Sequence, residues 1–126
     1  MNETRFFICE HCGNIVGLIK SAGVPIKCCG QNMTELIPGT VEAAVEKHIP
    51  VVKVEGNTVT VNVGEVSHPM TEDHLIQREY LQTTKGGQRK NLIAGQEPVV
   101  TFALSDEEPV AVYAYCNLHG LWKAEI

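Results

Sequence analysis

The chain has 126 residues, 44% of them hydrophobic and 20% charged, with a formal net charge of −5. This composition excludes a disordered chain and suits one medium domain, or a very small domain followed by a compact one. The negative balance argues against a nucleic-acid binder, and no apolar run approaches the roughly 20 residues that cross a bilayer.

The start, Met1-Asn2-Glu3-Thr4-Arg5, lacks the basic opening and apolar centre of a signal peptide, so cytoplasmic residence is expected. Cys9, Cys12, Cys28 and Cys29 lie together and Cys116 stands alone. An odd count in a reducing compartment speaks against a disulfide scaffold. It suggests one four-thiolate metal site and one separate thiolate.

Phe6-Phe7-Ile8 reads as a short strand entering Cys9-Glu10-His11-Cys12-Gly13, where glycine permits the tight turn of a metal knuckle. Residues 15–19 form a second short apolar strand, followed by Cys28-Cys29-Gly30. A structural zinc ribbon is the ordinary reading of such spacing. Here the second pair is adjacent, and both cysteines reach one tetrahedral ion only through a strained chelate. The residues point to a four-thiolate metal, with a modest preference for iron over zinc. His11 reads as an exposed loop histidine, because four thiolates already fill the shell. So short a segment builds no core of its own, and the metal must supply its stability.

Pro38-Gly39-Thr40 reads as a linker, dividing the chain into domains 1–37 and 38–126. Beyond it, 51–55 and 58–63 flank Gly56-Asn57, a two-residue hairpin signal. Further strands are expected at 75–84, 90–94, 99–104, 110–116 and 121–126, with a turn at Gly86-Gly87. Residues 41–45 form one helical turn at most. About seven short strands predict an antiparallel β-sandwich of immunoglobulin type, in architecture only, since the Cys…Trp…Cys spacing is absent.

Three motifs carry chemistry in this second part: Glu46-Lys47-His48-Ile49-Pro50, His68-Pro69-Met70-Thr71-Glu72-Asp73-His74, and Cys116-Asn117-Leu118-His119-Gly120-Leu121-Trp122. Each is weak alone, since a single histidine is more often a surface or structural residue. Together they offer four imidazoles and one thiolate, all at strand ends or in loops, where a sandwich gathers functional side chains. Pro50 restricts the backbone near His48, and Pro69 biases His68 toward an extended conformation.

With these motifs the chain resembles the desulfoferrodoxins, the two-iron class of superoxide reductase, over essentially its whole length. The resemblance implies a desulforedoxin-like first domain, with Cys9, Cys12, Cys28 and Cys29 holding a distorted rubredoxin-like iron. It implies a second iron with His48, His68, His74 and His119 in its equatorial plane and Cys116 axial. The tight Cys116–His119 spacing then predicts ligation through Nδ1 of His119 and Nε2 of the other three. Backbone N–H groups of Leu118 and His119 are plausible donors to the sulfur. The implied activity is one-electron reduction of superoxide to hydrogen peroxide at the His4Cys non-haem iron, which an external donor re-reduces. The setting is detoxification in an anaerobe or microaerophile. Lys47 would be the local positive charge that an acidic protein needs to draw in superoxide, and Glu46 the sixth ligand of the resting ferric ion. Without the motif, both would read as solvated charges. A rubredoxin-like donor and a homodimer are further implications, with the Phe6-Phe7-Ile8 strand consistent with pairing. The four-cysteine centre would relay electrons or be mainly structural, and such a site also accepts zinc.

Two other classes compete. A pure electron-transfer protein would use the same cysteines but need neither an open coordination position nor Lys47. A zinc-binding interaction module would explain the first domain but leave four histidines and Cys116 as coincidence. A zinc enzyme fits less well, since five donors exceed the usual three plus water.

Overall fold

The computed structural model describes residues 4–39 and 45–126. The chain separates into two compact units, Met1–Ile37 and Pro38–Ile126. None of the described helices is long and apolar enough to cross a membrane.

The first unit is a small antiparallel sheet in the order β2-β1-β5, from β1 (Arg5–Ile8), β2 (Ile15–Leu18) and β5 (Thr34–Leu36). Between its second and third members, β3 (Lys27–Cys28) and β4 (Gln31–Asn32) pair as a two-residue hairpin. Arg5 on β1 grips Glu35 on β5 with two parallel hydrogen bonds, Nε to Oε2 at 3.0 Å and NH2 to Oε1 at 2.9 Å. The guanidinium also lies over the Phe7 ring. Among the unit's described residues only Cys9 is buried. This sheet therefore has no apolar core, and its stability must come from elsewhere.

Among its described residues the second unit is all-β apart from one helical turn, α1 (Val45–His48). One sheet has the order β10-β7-β6, built from β6 (Pro50–Glu55), β7 (Thr58–Val63) and β10 (Val99–Ala103). The other has the order β12-β11-β8-β9, from β8 (Ile76–Thr83), β9 (Gly86–Asn91), β11 (Pro109–Cys116) and β12 (Gly120–Glu125). All pairings are antiparallel. This is the seven-stranded immunoglobulin-like sandwich that the strand pattern predicts. The alternation of β7 explains the packing: Val59, Val61 and Val63 point inward, against Ile76, Leu81, Phe102, Val112 and Ala114. Cys116 belongs to the same core and is fully buried.

Three local expectations shift. The helical turn at 41–45 falls mostly outside the described residues, and the observed turn, Val45–His48, carries His48 at its end. The hairpin before β9 turns at Thr84 and Lys85, not at Gly86-Gly87, which instead open the strand. The second glycine serves packing, since a Cβ at Gly87 would collide with the Tyr80 hydroxyl. The strand expected at 90–94 ends at Asn91, because Leu92 turns into the core and its N–H bonds to Gln77 O at 2.9 Å.

One buried group breaks the apolar pattern. Glu79 on β8 is 0% exposed, and neither carboxyl oxygen has a hydrogen-bond partner. Its cross-strand neighbour Lys90 gives its ammonium to Thr101 O at 2.6 Å and to the face of Phe102. Burial pushes the Glu79 carboxyl up to about 8 from the usual 4.5. The folded chain therefore keeps a proton that the unfolded chain gives up above pH 4.5. Stability falls as pH rises through that window and levels off above about 8. Glu79→Gln should gain over the parent by an amount that grows between these two pH values, to on the order of 4 kcal/mol. Denaturant unfolding across that range tests this, and a gap independent of pH would refute it.

Candidate metal centres

Four segments of the second unit converge at one end of the sandwich. His48 closes α1, His68 and His74 sit in the long connection before β8, Cys116 ends β11, and His119 lies in the turn to β12. Each offers one donor atom, and these five atoms lie within 4.8 Å of one another. The imidazoles form a closed ring in the order 48, 68, 74, 119. Neighbouring centroids are 4.6, 4.7, 5.0 and 4.9 Å apart, with edge-to-face angles of 77°, 79°, 75° and 87°.

The donor chemistry fits a cation. His68 Nδ1 lies 2.7 Å from Pro69 O, an acceptor only, so Nδ1 carries the hydrogen. Burial depresses the His68 imidazole to about 4, so the ring is neutral and its Nε2 presents a lone pair. That lone pair meets His48 Nε2 at 3.1 Å, while His119 Nδ1 meets the same atom at 3.2 Å. A single hydrogen on His48 Nε2 serves only one of these neighbours. His74 Nε2 is buried with no hydrogen-bond partner. Its basicity is lowered first by burial, then by His119, His48 and the Lys47 ammonium. Converging lone pairs on buried and half-buried side chains are what a divalent metal satisfies.

Cys116 Sγ lies 3.8 Å from His119 Nδ1. Burial pushes its thiol up, opposed by backbone N–H groups of Leu118 and His119 that donate to the sulfur. Those amides approach because β11 bulges between Tyr115 and Cys116 and then turns through Gly120, whose φ is 77°. Trp122 lies stacked on His48 at 5.0 Å and 29°, and its Nε1 donates to His119 O at 3.0 Å. The motif contains Trp122, but only the folded chain shows what it touches. Glu46 and Lys47 belong to α1, and the Glu46 side chain lies outside the described residues.

In the first unit the sulfurs of Cys9, Cys12, Cys28 and Cys29 also lie within 4.8 Å of one another, all as free cysteines. Cys12 and Cys28 are 3.6 Å apart, and Cys28 and Cys29 4.0 Å. The adjacent pair reaches one point because Cys29 adopts φ 53°, a left-handed conformation rare outside glycine. The Cys12 N–H toward Cys9 Sγ is the largest influence lowering that thiol to about 6. Crowding with Cys12 first, then with Cys9, pushes Cys29 up to about 12. His11 is exposed and outside the cluster.

A sandwich that gathers four imidazoles and a thiol, in a chain that also carries a four-cysteine module, defines a non-haem metalloprotein with two sulfur-containing candidate centres. The chain belongs to the desulfoferrodoxin family: the family model, described as Desulfoferrodoxin, matches residues 40–125. The desulfoferrodoxin of Nitratidesulfovibrio vulgaris is 40% identical over 98% of either chain. The solved superoxide reductase of Treponema pallidum is 42% identical, with a TM-score of 0.83, over 98% of this chain and 100% of its own. A superoxide reductase from Giardia intestinalis, described as 1Fe-SOR, is 35% identical, with a TM-score of 0.56, over 64% of this chain and 97% of its own.

Metal entry at the five-donor cluster must displace the Cys116 proton, whereas neutral imidazoles release none. With the four-cysteine centre already filled by zinc, Co²⁺ affinity should rise about tenfold per pH unit between roughly pH 7.5 and 9. The gain should vanish above the raised thiol value. A flat profile would mean that the thiol is already ionised.

Proposed function

We propose that the chain is a superoxide reductase. Its five-donor cluster would hold iron through His48, His68 and His74 Nε2, His119 Nδ1 and Cys116 Sγ. The observation that carries this reading is the closed ring of four imidazoles with a buried thiol beside it. The similarity to the Treponema protein over nearly the full length supports it. When bound, the iron would supply one-electron redox chemistry toward a small anion.

The chain's own residues do the rest. The Cys116 thiolate directs electron density toward the metal, and the Leu118 and His119 amides moderate it. A ferrous ion held with one thiolate as its only anionic donor would keep a net charge of about +1, so an anion would still be attracted. Lys47 adds positive charge close enough to influence His74, in a protein whose overall field is repulsive. Its ammonium steers superoxide inward and organises a water that delivers protons. The balance is one superoxide, one electron and two protons giving one hydrogen peroxide. Glu46 would occupy the sixth position in the oxidised resting state.

Cys9, Cys12, Cys28 and Cys29 would bind a second iron, or zinc where that metal is supplied, and would relay electrons or serve structure. A rubredoxin-like donor, a homodimer and cytoplasmic detoxification complete the proposal.

Two substitutions test it. Cys116→Ser should abolish the thiolate absorption of the second centre and lower reductase activity at least a hundredfold, while the four-cysteine spectrum persists. Activity surviving in that variant would contradict the thiolate role. Lys47→Ala should slow superoxide capture roughly tenfold or more at low ionic strength. The deficit should shrink as salt rises. In pulse radiolysis, a deficit of the same size at every salt concentration would assign Lys47 to a structural or proton-transfer role instead of steering.

A further inference from the structure

We propose that Asn117 is a positioning residue, which holds His74 in register with Cys116 and His119; this rests on the metal-centre reading above. The turn that carries His74 is self-contained. Thr71 N–H donates to His74 O at 2.9 Å, and His74 N–H donates to Thr71 O at 3.2 Å. The Thr71 hydroxyl lies 3.2 Å from both His74 N and His74 O. These bonds shape the turn but say nothing of its distance from Cys116, which is 42 residues away in sequence.

Asn117 supplies that distance. The β8–β11 ladder ends at the Cys116–Ile76 pair. One residue on, the Asn117 carboxamide replaces the missing ladder. Its Oδ1 accepts Leu75 N–H at 3.0 Å, and its Nδ2 donates to Asp73 O at 2.9 Å. Its backbone N–H donates to Leu75 O at 3.3 Å. His74 is thus bracketed on both sides by one side chain that also sits between Cys116 and His119. Only a side chain with a donor and an acceptor two bonds from Cβ makes both side-chain contacts. Imidazoles deliver their nitrogens to one point only if their backbones are fixed to fractions of an ångström, so a residue acting through His74 bears directly on metal affinity.

The test uses the full chain with zinc in the four-cysteine centre and Co²⁺ as the probe, titrated against a competing chelator. Asn117→Ala should weaken Co²⁺ binding at the five-donor centre about ten- to a hundredfold. Asn117→Asp, almost the same shape, keeps the Leu75 contact but loses donation to Asp73 O, and should weaken it as well. In a His74→Ala background, Asn117→Ala should add less than about a twofold further loss, because the ligand it positions is gone. Parental affinity in both Asn117 variants would overturn the proposal. So would an Asn117→Ala loss equally large with and without His74, which would mark a general effect on the fold. A parent showing no thiolate-to-cobalt band would overturn the metal-centre reading itself, and this proposal with it.

Discussion

Five donor atoms from distant parts of the second unit are aimed at one point, three of them on buried residues and two on half-buried ones, and that convergence constrains everything around it. His68 and His74 do not readily relieve the crowding by taking up protons, because burial holds His68 near 4 and lowers His74 too. The rings cannot satisfy one another either, since His48 Nε2 faces two nitrogens with at most one hydrogen to give. Trp122 stacks against His48 on one side, and the sandwich core, to which Cys116 belongs, backs the cluster on the other. A cation is the partner that this geometry accommodates without leaving polar groups unpaired.

The two units stand differently toward their metals. The second has an apolar core of valines, Phe102 and Leu81 that is complete without an ion. Its donors are therefore pre-organised, and metal binding adds to a structure already formed. Among its described residues the first has a three-stranded sheet, a bidentate Arg5–Glu35 pair and one buried residue, a cysteine. There, metal binding and folding are nearly one event. The left-handed backbone at Cys29 sharpens the contrast, since it is a strained conformation whose return is a fourth sulfur at the common point.

Much of this was legible in the sequence because it followed simple periods. Alternating valines on β7 and turn residues between strands pointed to the sandwich, and the Cys-x2-Cys knuckle to a metal module. The donor residues were legible as a set, though no spacing rule joins His48 to His119 across 71 positions. The misjudged turn at Gly86-Gly87 had a tertiary cause: the glycine makes room for Tyr80, which no local rule reveals. Glu79 reads as an outward-facing strand residue in a polar stretch, yet the register of β8 against β11 sets it opposite core residue Ala114. Asn117 and Trp122 were visible as letters of a motif, but their work is done through contacts between distant segments.

Burial raises the Cys116 thiol, and the influences that oppose it come from main-chain amides. Leu118 gives its N–H to the sulfur while its own side chain is 58% exposed. Apart from proline, every amino acid brings the same N–H to that position. The electronic setting of the thiolate is therefore shielded from point mutation, even though the residue providing it lies on the surface. A substitution at position 118 other than proline changes what the surface presents while the N–H donor to the sulfur stays in place.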